Sequence, residues 1–305
     1  LSFLYLIYLP TKKINLNFLN TLIVFSPLSF LNIVYLKTLV GRKEILLFSA
    51  FAIFLHFYKK IKFENVKYFI IFITVLTSLS HSGLLFYMPY LVFFYIYLNQ
   101  EKGLKKLLLH TVPVFLFFLF ILILNIYSVL NPPDINKIFF SIEDFSKNLN
   151  ETYIKFLDFG VKGYSHDKII YFDFNKYLIW YPIYAIFGFT PLILGFYYLN
   201  NFLNKKIHLK YFLLISFFCT LPIFYLGTDW GRYLMINYIM MQLIYFYLVL
   251  YKNISFNKNF FFKKEKLLVF FIITIFFYSF FWTVPHCCYP EFKSIYAHPF
   301  EKIFN

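Results

Sequence analysis

The rarest cationic side chain in this 305-residue sequence is arginine. Of 29 lysines and arginines, only Arg42 and Arg232 are arginines, in the segments Gly-Arg-Lys-Glu (41–44) and Asp-Trp-Gly-Arg-Tyr (229–233). A guanidinium presents a planar fork of donors that matches the oxygens of a phosphate or carboxylate, which a lysine ammonium does not imitate. With Lys43 beside Arg42, the two segments predict a site that binds an anion.

A histidine interrupts two apolar runs in the segment Leu-Ser-His-Ser-Gly (79–83). An ionisable residue between membrane-like runs is a functional candidate, and imidazole titrates near neutral pH, which suits proton transfer. His81 is therefore a candidate general base. The structural alternative is a histidine that caps its turn through a hydrogen bond to Ser80 or Ser82.

Asp229 precedes Arg232 by three residues, close enough to share one helix N-terminus. The commonest role of such an aspartate is to cap the helix. It would otherwise orient Arg232 or accept a proton during catalysis. The arginines also have a structural alternative, as interfacial anchors paired with the neighbouring carboxylates of Glu44 and Asp229.

These residues stand in a chain that is 61% hydrophobic and 14% charged. A soluble domain carries about 25% charged residues, so a soluble enzyme is excluded. The apolar runs are continuous and do not alternate with polar residues, which excludes a transmembrane β-barrel and predicts helical spans. The expected fold class is all-α, a polytopic transmembrane helical bundle forming one domain over residues 1–305.

Nine full spans and an N-terminal remnant are expected. The remnant at 1–9 is an apolar stretch cut short at Leu9, which predicts a truncated N-terminus. The stretch 67–98 is either two spans or a re-entrant hairpin, because its runs are short. The predicted spans are 20–39, 45–58, 67–80, 84–98, 107–130, 177–199, 210–227, 234–251 and 267–285.

Lysine is distributed unequally between alternate loops. The loops at 12–13, 59–67, 99–106, 200–210 and 252–266 hold 17 lysines and three glutamates, whereas the other set is nearly neutral. The positive-inside rule places the lysine-rich set in the cytoplasm. Arg42, His81, Arg232 and the large loop at 131–176 are then expected on the outer face.

Several classes of function lack their sequence signals. The cytoplasmic loops are short and carry neither a P-loop nor a Gly-x-Gly-x-x-Gly segment, which argues against ATP-driven transport and the direct use of nucleotide sugars. The three cysteines show no zinc spacing. We expect no metal, no cofactor and no nucleic acid, and we assign the net charge of +15 to topology and attraction to the lipid bilayer.

The order of these motifs, from 41 to 233, resembles that of the O-antigen polymerase (Wzy) and EpsG-like polysaccharide polymerases. The resemblance implies a glycosyltransferase in the bacterial inner membrane with its active face outward. Its substrate would be an oligosaccharide linked to undecaprenyl diphosphate, and a flippase and a chain-length regulator of the same pathway would be partners. Arg42, Lys43 and Arg232 would then bind the diphosphate, with His81 or Asp229 as the catalytic base.

Three other readings remain open at the level of sequence. One is a membrane glycosyltransferase that takes its sugar from a polyprenyl monophosphate, for which Glu44 is the only early outer carboxylate. Another is a flippase or secondary transporter of lipid-linked or anionic substrates, which the absence of an internal repeat weakens. The last is a non-catalytic membrane subunit of a polymer-assembly complex.

Overall fold

The structure is a computed structural model that describes residues 18–29, 44–130, 174–200, 203, 208–226, 229–251, 265–280, 282 and 284. Within these ranges the chain forms ten α-helices and two 3₁₀ segments, the latter at Ser82–Tyr87 and Gln100–Lys102. The helices are α1 (Phe18–Val24), α2 (Glu44–Phe57), α3 (Phe63–Ser80), α4 (Met88–Leu98), α5 (Leu104–Leu130), α6 (Phe174–Asn200), α7 (Leu209–Phe218), α8 (Leu221–Leu226), α9 (Trp230–Tyr251) and α10 (Glu265–Phe280).

Four of these helices are long and apolar enough to cross a bilayer. They contain the segments Phe63–Ser80, Lys105–Leu124, Leu178–Asn200 and Trp230–Leu250. Three shorter apolar helical segments accompany them, at Glu44–Phe57, Gly83–Leu98 and Leu209–Tyr225. The described ranges are therefore those of a helical membrane protein. Within them, four helices are long enough to cross a bilayer, whereas nine full spans were predicted. The predicted remnant at 1–9 and residues 131–173 of the large loop lie outside the described ranges.

Helix α9 lies at the centre of the packing. Within its span, 83% of the residues are buried inside the protein. Three aromatic pairs join it to α6 with the same spacing of 49 positions: Tyr181 with Trp230, Phe189 with Tyr238, and Phe196 with Tyr245, at ring-centroid distances of 5.7, 5.3 and 5.6 Å. A constant spacing along three contacts means that α6 and α9 run parallel.

Helices α2 and α4 run in the same direction as α9. At one end, Glu44 of α2 contacts Arg232. At the other end, Tyr58, just after α2, packs against Tyr247 with centroids 6.5 Å apart, and Phe94 of α4 packs against the same ring at 5.7 Å. The N-termini of α2 and α9 therefore share one end of the bundle.

The predicted span at 20–39 is wrong as a continuous helix, because α1 ends at Val24. The physical reason is Pro27, whose ring clashes with the carbonyl four residues earlier and which has no N–H to donate. That carbonyl belongs to Ile23. It accepts hydrogen bonds from Tyr238 Oη at 2.8 Å and Gln242 Nε2 at 3.1 Å, so α9 replaces the bond that proline removes.

The predicted span at 210–227 is also interrupted. Helix α7 ends at Phe218 and α8 begins at Leu221, with Pro222 in its first turn. At the break, Thr220 Oγ1 donates to the carbonyl of Phe217 at 2.7 Å, and Asn237 Nδ2 donates to Thr220 Oγ1 at 3.1 Å. Thr220 thus satisfies a carbonyl at the end of α7, and Asn237 satisfies the hydroxyl of Thr220 inside the apolar bundle.

The chain divides into two compact units. One comprises 1–114 and 173–305, and the other comprises 115–172. The described part of the second unit is the C-terminal portion of α5. Every residue of the site described below belongs to the first unit.

Candidate functional site

A buried carboxylate and one of the two arginines meet where α2 and α9 begin. Glu44 is the first residue of α2 and is only 3% exposed. Its Oε1 forms an ion pair with Nη2 of Arg232, which lies in the first turn of α9. The two residues are 188 positions apart, so this contact joins the two arginine-containing segments found in the sequence.

Asp229 supplies a second carboxylate to the same arginine. Its carbonyl accepts the first hydrogen bond of α9, from the Tyr233 N–H at 3.1 Å, which makes Asp229 the N-cap residue that the sequence predicted. Its Oδ2 lies 3.9 Å from Arg232 Nη1. This distance exceeds the normal hydrogen-bond range, so Asp229 acts on the guanidinium mainly through its charge. Arg232 lies between two acids, and its side chain is 20% exposed.

Trp230 fixes the start of α9 against its neighbours. Its indole Nε1 donates to the carbonyl of Phe224, near the end of α8, at 2.7 Å. Its ring packs against Tyr181 of α6 and Phe224, each with centroids 5.7 Å apart. Two helices, α6 and α8, therefore hold the backbone that carries Asp229 and Arg232.

His81 joins α3 to the following 3₁₀ segment. Its backbone is extended (φ −168°, ψ 121°), its N–H bonds to the carbonyl of Thr77 at 2.9 Å, and its Nδ1 accepts from the Gly83 N–H at 3.0 Å. The capping role predicted as an alternative is present, and the Gly83 N–H is a donor to this cap. A nitrogen that accepts a hydrogen bond carries no proton, so the neutral ring carries its proton on Nε2.

The histidine segment also packs near the start of α9. Tyr87, at the end of the 3₁₀ segment, donates from Oη to the carbonyl of Tyr233 at 3.4 Å. Gly83 lies against α8, since a Cβ placed on it would be 3.0 Å from Cδ1 of Ile223. The structure therefore brings the Leu-Ser-His-Ser-Gly segment to the same end of the bundle as Glu44 and Arg232, with Tyr87 as the link.

Of the five predicted site residues, the structure describes three. Arg42 and Lys43 lie outside the described ranges. Arg232 and Asp229 are adjacent in space, and His81 begins the segment that reaches the same helix start. No group of three histidine, cysteine or acidic side chains within the described ranges is arranged to hold a metal ion.

The ion pair of Glu44 with Arg232 was not among the sequence predictions, which placed Glu44 beside Arg42 or made it the carboxylate of an alternative enzyme class. The pairing of Glu44 with Arg42 stays a prediction, because Arg42 lies outside the described ranges. One signal was available. A carboxylate at the head of an apolar helix requires a cation when it is buried, and Arg232 is the only other arginine.

The arrangement of Arg232 beside Glu44 and Asp229 suits anion binding and proton transfer. A guanidinium beside two carboxylates keeps a fixed orientation, and its planar set of donors is the chemistry that matches an oxyanion. The nearby acids supply a proton acceptor. The rings of Tyr181 and Phe224 pack on Trp230 and hold the start of α9 that carries this guanidinium.

Comparisons with protein-family models, with curated proteins and with solved structures gave no match to this chain.

Proposed function

We propose that the protein is a polysaccharide polymerase that transfers glycan units from undecaprenyl diphosphate at the outer face of the bacterial inner membrane. The observation that carries this proposal is the Glu44–Arg232 ion pair, because it joins the two arginine-containing segments at one end of the bundle. A leaving diphosphate carries several negative charges, and an enzyme without a metal needs more than one cation to bind it.

Chain connectivity supports a shared cationic site. Arg42 and Lys43 immediately precede Glu44 in the sequence. Two trans peptide units reach at most about 7.6 Å between Cα atoms, so Arg42 is tethered to the residue that contacts Arg232. The proposal therefore assigns Arg42, Lys43 and Arg232 to one diphosphate.

In the proposed reaction, a hydroxyl of the acceptor sugar attacks the anomeric carbon of the donor. The bond between that carbon and the phosphate oxygen breaks, and undecaprenyl diphosphate leaves with the bonding electrons. Charge grows on the diphosphate in the transition state, where fixed guanidinium groups stabilise it more than in the ground state. The hydroxyl proton passes to a carboxylate.

Asp229 is the better candidate for that carboxylate. It lies beside Arg232, whereas Nδ1 of His81 already accepts from the backbone of Gly83. Protonating Nδ1 would break that cap, and Nε2 of the neutral ring has no lone pair to offer. His81 then acts as a positioning residue for its segment.

The test replaces the arginine fork and keeps the charge. Arg42→Lys and Arg232→Lys are introduced separately, with Lys210→Arg as a control that changes an exposed cation at the other end of the bundle. Membrane levels of the protein, the flipping of lipid-linked units and the length of surface polymer are measured in cells. We expect short polymer with normal flipping in both arginine variants. Normal polymer in both would refute the diphosphate site, and lost flipping would indicate a transporter.

A membrane glycosyltransferase that uses a polyprenyl monophosphate donor is the second candidate. The burial of Glu44 beside Arg232 favours it, since this class uses an outer carboxylate near the donor phosphate. The two candidates differ in the lipid they release. Purified protein is supplied with either donor, and the appearance of undecaprenyl diphosphate supports the polymerase, whereas release of the monophosphate supports the second candidate.

A further inference from the structure

A cationic cluster surrounds one aromatic ring at the end of the bundle opposite Glu44 and Arg232. Phe63, the first residue of α3, is buried. Lys102 Nζ lies 3.8 Å from the centroid of its ring and Lys106 Nζ lies 5.3 Å from it, while the His110 ring packs against it with centroids 4.3 Å apart. The cluster joins α3 to the start of α5.

The cluster carries more positive than negative charge. Lys67, Lys102 and Lys106 all act electrostatically on His110, so the three ammonium groups share one neighbourhood. Glu64 is the acid that acts on the same histidine, and it is exposed. None of the three lysines forms an ion pair with a carboxylate of the described ranges. Like charges held this close repel, and an anion that reached all three would relieve that repulsion.

An exposed apolar surface continues from the cluster along both helices. On α3, Tyr68 and Phe72 are 62% and 61% exposed, and their spacing of four residues places them on one stripe. On α5, Leu109 and Val112 are 66% and 45% exposed. The Lys67 ammonium lies 4.9 Å from the Tyr68 ring centroid, where the cationic and apolar parts meet.

We propose that Lys67, Lys102 and Lys106 bind the phosphate headgroup of an anionic glycerophospholipid, whose acyl chains lie along Tyr68, Phe72 and Leu109. The cationic cluster adjoins an exposed apolar stripe, and this stripe favours a lipid over a free phosphate because only a lipid has acyl chains to cover it. The lysine distribution predicts that this end faces the cytoplasm, where anionic headgroups attract basic residues. The site is separate from the proposed catalytic site and does not depend on its function.

The test uses the full chain purified in neutral detergent. Binding of phosphatidylglycerol and of phosphatidylcholine is measured by native mass spectrometry for the wild type, for Lys102→Gln/Lys106→Gln, and for the control Lys60→Gln/Lys210→Gln. The control removes two lysines from the same end, each over a single ring, at 5.5 Å from Phe57 and 5.1 Å from Tyr211. Circular dichroism of each variant confirms that the helices are retained.

We expect the wild type to prefer phosphatidylglycerol. A lysine at the headgroup contributes about fivefold to affinity, so the Lys102/Lys106 variant should lose about 25-fold, and the control about twofold or less. Equal binding of the two lipids would overturn the proposal, as would an equal loss in the control. Inorganic phosphate alone is the last arm: if it displaces phosphatidylglycerol at millimolar concentration, the site binds free phosphate and not a lipid.

Discussion

Glu44 and Arg232 join the N-termini of two parallel helices through a buried ion pair. The exposure of the two partners is unequal: the Glu44 side chain is 4% exposed and that of Arg232 is 20% exposed. The buried carboxylate therefore depends on the arginine to compensate its charge, whereas the arginine side chain is also in contact with solvent. Because of this difference in exposure, removing one partner should lower the free energy of unfolding more than removing the other.

Arg232→Gln should destabilise the protein more than Glu44→Gln. Removing the arginine leaves a buried carboxylate without its cation, at a cost of about 3–5 kcal/mol. Removing the carboxylate leaves a guanidinium that is partly hydrated, at a cost of about 1–2 kcal/mol. The free energy of unfolding in detergent, measured with a chemical denaturant, compares the two variants.

Glu64→Gln is the matched control, because Glu64 lies in the first turn of α3 and is exposed. It should leave the stability close to that of the wild type. The double variant Glu44→Gln/Arg232→Gln should be more stable than Arg232→Gln alone, since no charge is then left buried. A double variant as unstable as the sum of both changes would show that the pair does not interact.

The carbonyl of Ile23, which Pro27 leaves without its helical donor, gives a second prediction. Tyr238 and Gln242 both donate to it. Tyr238→Phe or Gln242→Leu should each cost about 1 kcal/mol, because the other donor remains. The double variant should cost more than the sum, since it leaves a buried carbonyl unsatisfied. Thermal unfolding measures all three, and additive losses would contradict the shared acceptor.

Close packing at Gly188 of α6 gives a third prediction. A Cβ added there would lie 2.1 Å from Cδ1 of Leu28. Gly188→Ala should therefore destabilise the protein by about 1–3 kcal/mol through overpacking. Leu28 is fully buried, so Leu28→Ala alone should cost about 2–5 kcal/mol, but the double variant should lose less than the sum of the two single losses, because the clashing atoms are removed. Ile193→Ala, at a position that is 60% exposed, should have little effect. A loss in the double variant equal to the sum of the two single losses would exclude this clash as the cause.

The helices were predictable from hydrophobicity, but their interruptions were not. A continuous apolar run identifies a helix to within a few residues, as 177–199 does for α6 at Phe174–Asn200. A proline does not reveal whether the helix continues. Pro191 lies inside α6, where Tyr278 Oη donates to the carbonyl of Phe187 four residues earlier at 3.3 Å, whereas α1 ends before Pro27.

The candidate site was predictable in its residue types and not in its pairing. Only two of the 29 lysines and arginines are arginines, so composition alone made both of them candidate site residues. The partner of Arg232 depends on α2 and α9 being parallel neighbours, which is a property of the packed bundle. The cap at His81 joins residues only two positions apart. Such a local contact depends little on the packing of the bundle, so a capping role for His81 was predictable from the sequence.

The final prediction separates the two candidate bases. His81→Gln should retain polymer growth to within about tenfold, because the role of His81 is to hold its segment and a side-chain amide oxygen is also able to accept from a backbone N–H. Asp229→Asn should reduce polymer growth by about 100-fold or more, because an amide no longer accepts a proton. Polymer synthesis in isolated membranes with a lipid-linked donor measures both rates.

Asp229→Asn is also its own structural control, because asparagine is as good an N-cap residue as aspartate. Its helices and its membrane levels should therefore match the wild type, so that a loss of rate is a loss of chemistry. If His81→Gln is inactive and Asp229→Asn is not, the roles are reversed. The histidine would then have to release the Gly83 N–H when it accepts the proton, and its segment would have to move during each catalytic cycle.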